Sequence, residues 1–189
     1  MDADEYAWVD GLRAGAPAAF DAVFGAYRRR VFGYLARMTR RRDVAEDLLQ
    51  ETFLRLAQHG RSLVPETRLA PWLFTVAHRL VVSWVRAQAV RAALAGEFPV
   101  REPADPAGRS PADALADSRA QAALERALAA LPDAYREVAL LVGVEGLPPA
   151  EVAIILGQRP DAIRQRLARA RAMLAESLGE HAPESWRSP

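Results

Sequence analysis

The chain contains no cysteine and no lysine. Without cysteine there is no disulfide framework, no thiolate zinc site and no cysteine nucleophile, a composition that fits a reducing compartment. Without lysine, all 25 basic side chains are arginines, and their abundance beside alanine is the ordinary mark of a GC-rich coding sequence. Histidine is scarce: His59, His78 and His181 stand far apart, with no ligand spacing for a metal. Neither a glycine-rich phosphate loop nor a nucleophile motif is present, so no enzymatic chemistry, cofactor, metal or small-molecule substrate is expected. Long apolar runs are missing too. Those around Leu80 to Val85 and Val138 to Val144 fall far short of the roughly 20 residues a membrane helix needs, and no membrane insertion is expected. Met1 to Asp10 is acidic and lacks a basic start before an apolar run, so no secretory signal is expected and the cytoplasm is the expected compartment. Alternating strand patterns and internal repeats are absent.

What is present supports folded structure. The 189 residues are 51% hydrophobic and 26% charged, enough for one medium core or two small ones. The net charge of +1 hides segregation, with arginines crowded into a few segments and acids near the amino terminus and in the middle. From Pro17 to Arg40 the residues Phe20, Val23, Phe24, Tyr27, Val31, Leu35 and Met38 recur at the spacing of an amphipathic helix, after a short leading helix before Gly15. Asp43 with Glu46 has the spacing of a capping box opening a second helix, whose inner stripe is Ala45, Leu48, Leu49, Thr52, Phe53 and Leu56 and which closes near Gly60. Pro65 keeps the next connection irregular. Pro71 suits the first turn of a third helix, with Leu73, Val76, Ala77, Leu80 and Trp84 on its inner face.

These elements predict a first helical domain over 1–94. Pro99, Pro103, Pro106 and Pro111 with Gly96 and Gly108 then break any helical period, marking a flexible linker over 95–111. Ser110, Pro111 and Asp113 resemble the start of a helix reaching about Leu131, and a second domain over 112–182 follows, with 183–189 as a tail. Pro132 breaks the chain, a helix with Tyr135, Val138, Leu141 and Val142 runs to Gly146, and two helices, Pro149 to Leu156 and Pro160 to about Leu178, end the domain. The expected fold class is all-α: two small helical domains joined by a flexible linker.

The last two helices have the requirements of a helix-turn-helix. Ala153 is small enough for a close crossing, Gly157 can adopt the left-handed turn conformation, and Val152, Leu156, Ile163 and Leu167 can share a core. At about 100° per residue, Ile163, Leu167, Ala170 and Leu174 fall on one face of the final helix. Asp161, Gln165, Ala168 and Ala172 fall opposite, flanked by Arg164 and Arg169. Small residues let such a face enter a major groove, arginine pairs with guanine, glutamine pairs with adenine, and further arginines neutralise phosphates. A solvated basic helix is the plainer reading of the same arginines; the preceding turn and helix favour DNA.

Leu12-Arg-Ala-Gly-Ala-Pro-Ala-Ala-Phe20, Ala45-Glu-Asp-Leu-Leu-Gln-Glu-Thr-Phe53 and Pro71-Trp-Leu-Phe-Thr-Val-Ala77 in the first domain resemble segments of the extracytoplasmic-function (ECF) sigma factors of bacterial RNA polymerase. In the second, Leu131-Pro-Asp-Ala-Tyr-Arg-Glu-Val138, Gly143-Val-Glu-Gly-Leu147 and the helix-turn-helix are similar, in order and spacing, to that family's promoter-reading domain. Nearly the whole chain is covered. The resemblance implies a dissociable subunit that brings core RNA polymerase to promoter DNA and starts transcription, with an anti-sigma factor as a further partner.

It also assigns residues. The acidic side of the second helix, with Asp43, Glu46, Asp47, Gln50 and Glu51, reads on its own as a solvated helix face; the resemblance makes Asp47, Gln50 and Glu51, with apolar Leu49, the contact with basic groups on the polymerase clamp. Arg28, Arg29, Arg30, Arg37, Arg40, Arg41 and Arg42 either keep the first domain soluble or line a path for nucleic acid or polymerase surfaces. Bases stack on aromatic rings while arginines track phosphates, which singles out Trp72 and Trp84, with Trp84 expected inside. By the resemblance, the loop from Gly60 to Leu69 and the start of the third helix capture a flipped base, while His78, Arg79 and Arg86 hold neighbouring duplex or backbone. On the final helix, Arg159, Asp161, Arg164, Gln165, Arg169 and Arg171 are the DNA-facing set.

The family commonly carries asparagine and aspartate where this chain has Arg79 and Ser83, and apolar residues where it has Gln158 and Pro160. Two other functions stay open at this point. A sigma mimic would sequester an anti-sigma factor without touching promoters, and a stand-alone helix-turn-helix regulator would bind operators as a dimer without polymerase.

Overall fold

The computed structural model describes residues 3–95 and 118–179, with Pro183. The chain divides into two compact units, and every regular element among the described residues is helical. Most of the expected linker, 96–111, and the expected Ser110–Pro111–Asp113 helix start lie outside the described residues.

The first unit contains α1 (Ala3–Ala14), α2 (Pro17–Thr39), α3 (Arg42–His59), a 3-10 turn (Gly60–Ser62) and α4 (Leu69–Ala95). Pro17 opens α2 at a position where its missing N–H is not needed. The apolar stripe of α2 then packs against α1, α3 and α4 together, making it the axis of the unit. Val23, Val31, Tyr34 and Leu35 are buried, and the Tyr34 ring meets Phe74 of α4 edge to face at 5.6 Å between centroids. Full burial of each such side chain stabilises by about 1.5–3 kcal/mol. Two buried hydroxyls bond back to their own helix: Thr39 Oγ1 donates to Leu35 O at 2.9 Å, and Thr52 Oγ1 to Leu48 O at 2.7 Å.

Helix α2 ends at Arg40, which takes a left-handed conformation at φ 59° and donates its N–H to Ala36 O. Helix α3 starts at Arg42 with Arg41 at its N-cap, two residues before the expected Asp43 cap, and the Asp43–Glu46 capping box does not form. Guanidinium groups take both carboxylates instead: Arg41 pairs with Asp43, and Arg42 with Glu46 at 2.9 Å. With Arg41 at the N-cap position, Asp43 and Glu46 both lie inside the helix, where they cannot form the expected box. The Arg41 guanidinium holds the Asp43 carboxyl below its ordinary pKa, with the Val44 N–H adding to the effect.

On α4, Leu69, Leu73, Phe74, Ala77, Leu80 and Val81 are buried, whereas Val76 and Trp84 are only half-buried. Trp84 is thus less enclosed than expected, because it lies beyond the buried stretch of α4, whose last inner residue is Val81. Helix α4 begins at Leu69, so Pro71 lies in its first turn as expected.

The second unit contains α5 (Ser118–Ala130), α6 (Asp133–Val138), a π-helical turn (Ala139–Val144), α7 (Pro149–Leu156) and α8 (Pro160–Leu178). Helix α8 is its hub, packing on α5, α6, α7 and the π turn. The expected single helix from Pro132 to Gly146 is α6 continued by the wider π turn, in which Leu140 and Leu141 are both buried. Gly146 stops it at φ 69°.

At the junction of α5 and α6 lies Arg136, the largest fully buried side chain among the described residues, 1% exposed. Its Nε donates to Leu128 O at 2.9 Å, and its terminal nitrogens donate to Ala129 O at 3.0 Å, to Leu131 O, and to the Asp133 carboxylate at 2.9 Å. The last carbonyls of a helix have no intrahelical donor. Arg136 supplies it for α5 while cancelling its own charge against Asp133.

Candidate nucleic-acid and polymerase interfaces

Three surfaces carry the residues singled out in the sequence. On α3 the buried stripe is Ala45, Thr52, Phe53 and Leu56. Turned away from it, at about 100° per residue, lie Asp43, Asp47, Gln50, Glu51 and Leu54. Asp47 and Gln50 are exposed, and Glu51 is half-exposed and paired with Arg55 at 2.9 Å. Leu49 does not join this face. It sits half-buried beside the inner stripe, and the apolar side chain among the acids is Leu54, 49% exposed. The sequence signal for Leu54 was present in its spacing of three and four residues from Glu51 and Gln50.

On α4, Trp72, Arg79 and Arg86 recur every seven residues, and with Ser83 they form one stripe on the side opposite the buried face. From Trp72 to Arg86 the stripe extends about 21 Å. Arg79, Ser83 and Arg86 are exposed and Trp72 is half-exposed. His78 lies a quarter-turn away, half-buried. The loop preceding α4 is tightly turned, Thr67 N–H donating to Val64 O at 2.9 Å, and exposes Val64, Pro65, Glu66 and Arg68.

Many of the arginines of α2 and the start of α3 have local partners. Arg28 lies over Phe24 at 5.9 Å, Arg30 over Tyr27 at 5.2 Å and Arg42 over Phe32 at 5.8 Å, while Arg37 donates to Gly33 O at 3.1 Å. These contacts give the cluster a structural role in addition to any external one.

The helix-turn-helix is formed by α7 and α8. Gly157 turns the chain at φ 62°, its N–H bonding to α7 carbonyls, and Gln158 N–H donates to Ala153 O at 2.8 Å. Ala153 is buried at the crossing as expected, but the buried aliphatic residue at the end of α7 is Ile155, with Leu156 half-buried. Ile163, Leu167, Ala170 and Leu174 of α8 are buried, and Arg159, Asp161, Arg164, Gln165, Ala168, Arg169, Arg171 and Ala172 are exposed. Asp161 forms an ion pair with Arg164. No described helix is long and apolar enough to cross a membrane, and no described cluster of histidines and acids could hold a metal ion.

Residues 23–91 match the Sigma-70 region 2 family, and residues 121–174 match Sigma-70, region 4. The chain is 37% identical over 172 residues to the RNA polymerase sigma factor CarQ of Myxococcus xanthus, covering 91% of this chain and 96% of that one. It is 32% identical over 180 residues to the ECF RNA polymerase sigma factor SigE of Mycolicibacterium smegmatis, covering 94% and 68%. The chain belongs to the ECF RNA polymerase sigma factors. Among solved structures it is similar to the sigma factor RpoE of Bartonella quintana, co-crystallised with the anti-sigma factor NepR, at TM-score 0.70 and 25% identity over 84% of this chain and 96% of that one. As a sigma factor it directs RNA polymerase to promoters through DNA binding. The α3 and α4 surfaces fall within region 2, and α7 with α8 as far as Leu174 within region 4.

Proposed function

We propose a division of labour among these three surfaces. The α3 face, with Asp47, Gln50, Glu51 and Leu54, docks the sigma factor on basic groups of core RNA polymerase, and residues 1–94 act as the docking and strand-opening domain. The loop 60–69 with Trp72 captures an unstacked base of the upstream element nearest the start site, while Arg79 and Arg86 follow the backbone and His78 supports them from the side. Residues 112–182 form the second promoter-reading domain. Arg164 and Gln165, near the amino end of α8, meet base edges, and Arg159, Arg169 and Arg171 meet phosphates. An anti-sigma factor holds the protein inactive in the cytoplasm. The protein contributes no catalysis, cofactor or small-molecule site of its own; the polymerase supplies the chemistry.

The observation that carries this reading is the two-sided build of α8: an apolar face closed by α5, α6 and α7, and an exposed face with two alanines at its centre and arginines on its flanks. Small side chains there let the helix axis approach the groove floor. Arg164→Ala or Gln165→Ala should cost about 1–3 kcal/mol on the preferred upstream element and relax preference at one or two base pairs. Arg171→Ala should weaken all sequences alike and lower the slope of log affinity against log salt by about one unit. Because Arg164 exchanges its Asp161 pair for a base, Asp161→Ala leaves Arg164 charged and unpaired, and should change preference at the same base pair as Arg164→Ala. Fluorescence titrations on duplexes at several salt concentrations check these expectations. Duplex binding indifferent to every one of these substitutions would remove α8 from the reading role.

A further inference from the structure

The loop between the 3-10 turn and α4 is tied at both ends to α1, a helix far from it in sequence. At one end the Glu5 carboxylate accepts the Leu69 N–H at 2.8 Å. Leu69 is the first residue of α4, so its N–H belongs to the set without an intrahelical acceptor, and a carboxylate there also meets the positive end of the helix dipole. At the other end Arg13 Nε donates to the carbonyl of Leu63, the residue that closes the 3-10 turn, at 3.0 Å. Glu5 and Arg13 are about 12 Å apart along α1. Between them Val9 and Leu12 are buried, as are Leu63 and Leu69 beneath the two ties. The segment between the ties faces outward, with Val64 60% exposed. The loop therefore has fixed ends and an outward-facing middle.

We propose that Glu5 and Arg13 are positioning residues for base capture: α1 acts as a strut that sets the conformation of the loop 63–69, and through it the preference for the flipped base. This rests on the reading of that loop as the base-capturing element. A loop with untied ends spreads over several conformers, and its apparent affinity falls in proportion to the fraction that stays competent. If cutting both ties lowers that fraction to about a tenth, affinity for opened promoter DNA with the preferred base falls about tenfold. DNA lacking that base, which makes no use of the capturing loop, is little affected.

The test uses holoenzyme assembled from core polymerase and the full chain, with fork-junction templates from a promoter it transcribes. At the captured position the templates carry the preferred base, a different base or an abasic site. The Glu5→Ala, Arg13→Ala double variant is expected to lose about tenfold on the preferred base, with little loss on the abasic template, so that discrimination shrinks by a similar factor. Its competition for core polymerase should equal that of the parent. Glu5→Gln, which keeps an oxygen able to accept the Leu69 N–H, should restore most of the discrimination in the Arg13 background. If the double variant does not fold, Arg13→Ala alone carries the test, since that side chain is 40% exposed. Full discrimination in the variants overturns the proposal, as does a Glu5→Gln variant as impaired as Glu5→Ala. Glu66→Ala with Arg68→Ala at the loop tip separates the two layers. If the tip variant loses discrimination while the α1 variants keep it, the strut is wrong and base capture stands; if the tip variant keeps it, both fall together.

Discussion

Replacing Arg136 with alanine should cost the second unit about 3–5 kcal/mol, because removing one partner of a buried ion pair strands the other groups. Three carbonyls, those of Leu128, Ala129 and Leu131, lose their side-chain donor in one step, and Asp133 loses its counter-charge. A small domain holds about 5–15 kcal/mol in total, so the change removes much of its margin. A loss of 3 kcal/mol lowers the melting temperature of a domain this size by at least about 12 °C. Calorimetry on the full chain should show the transition of the second unit displaced while that of the first is retained. Arg136→Lys should recover only part of the loss, since an ammonium cannot reproduce the planar fork that reaches three carbonyls and a carboxylate. A transition unmoved by Arg136→Ala would mean that the carbonyls ending α5 find other donors.

Reversing charge on the α3 face should have the largest effect on partner binding. Close charge pairs across an interface couple by about 1.5–7 kcal/mol, and repulsion replaces attraction when the sign is inverted. Asp47→Arg with Glu51→Arg should therefore weaken association with core polymerase at least about a hundredfold, near 3 kcal/mol. The fold is expected to survive. Asp47 is exposed, and the ion pair that Glu51 makes with Arg55 is an exposed helical pair worth about 0.3–0.5 kcal/mol. Leu54→Ser, at the centre of the same face, should weaken association without changing its salt dependence, whereas Leu49→Ser should act mainly on stability. Competition for core polymerase against a labelled sigma factor, with helical circular dichroism alongside, measures both. Undiminished association by a folded double variant would remove α3 from the docking surface.

Much of this architecture was legible because helical periodicity and punctuation agree. Pro17, Gly60, Pro132, Gly146, Gly157 and Pro160 mark element ends, and between them most of the apolar spacing points to the buried side, with Val76, Trp84 and Leu156 only half-buried. The buried face of α8 is residue for residue the one that its spacing indicates, because a regular helix carries its period without distortion. Local competition between partners was harder to read. Asp43 and Glu46 have capping spacing, yet the helix starts earlier, capped at Arg41, and the two acids pair with Arg41 and Arg42. Leu49 and Leu54 lie about 140° apart on α3; periodicity already puts Leu49 on the inner stripe, and it is the resemblance that draws it to the docking face. Long-range polar ties left no local trace at all. Glu5 and Leu69 are 64 residues apart. The polar partners of Arg136 lie three to eight residues before it, yet it reads in sequence as one more helix arginine until α5 ends against it. The π turn at Ala139–Val144 was equally silent, since a single wide turn barely shifts the apolar spacing.

Transcription reconstituted from purified core RNA polymerase, this protein and a library of bacterial promoter fragments tests the central claim most directly. Core polymerase alone supplies catalysis without promoter choice, so any selected start site reports the sigma factor. Defined transcripts should appear from a subset of fragments sharing two upstream elements at fixed spacing, and should disappear when Arg164 and Gln165 are both replaced by alanine. Core binding with no start site selected on any fragment would contradict the account, and would leave a sigma-like protein that occupies an anti-sigma factor without reading promoters.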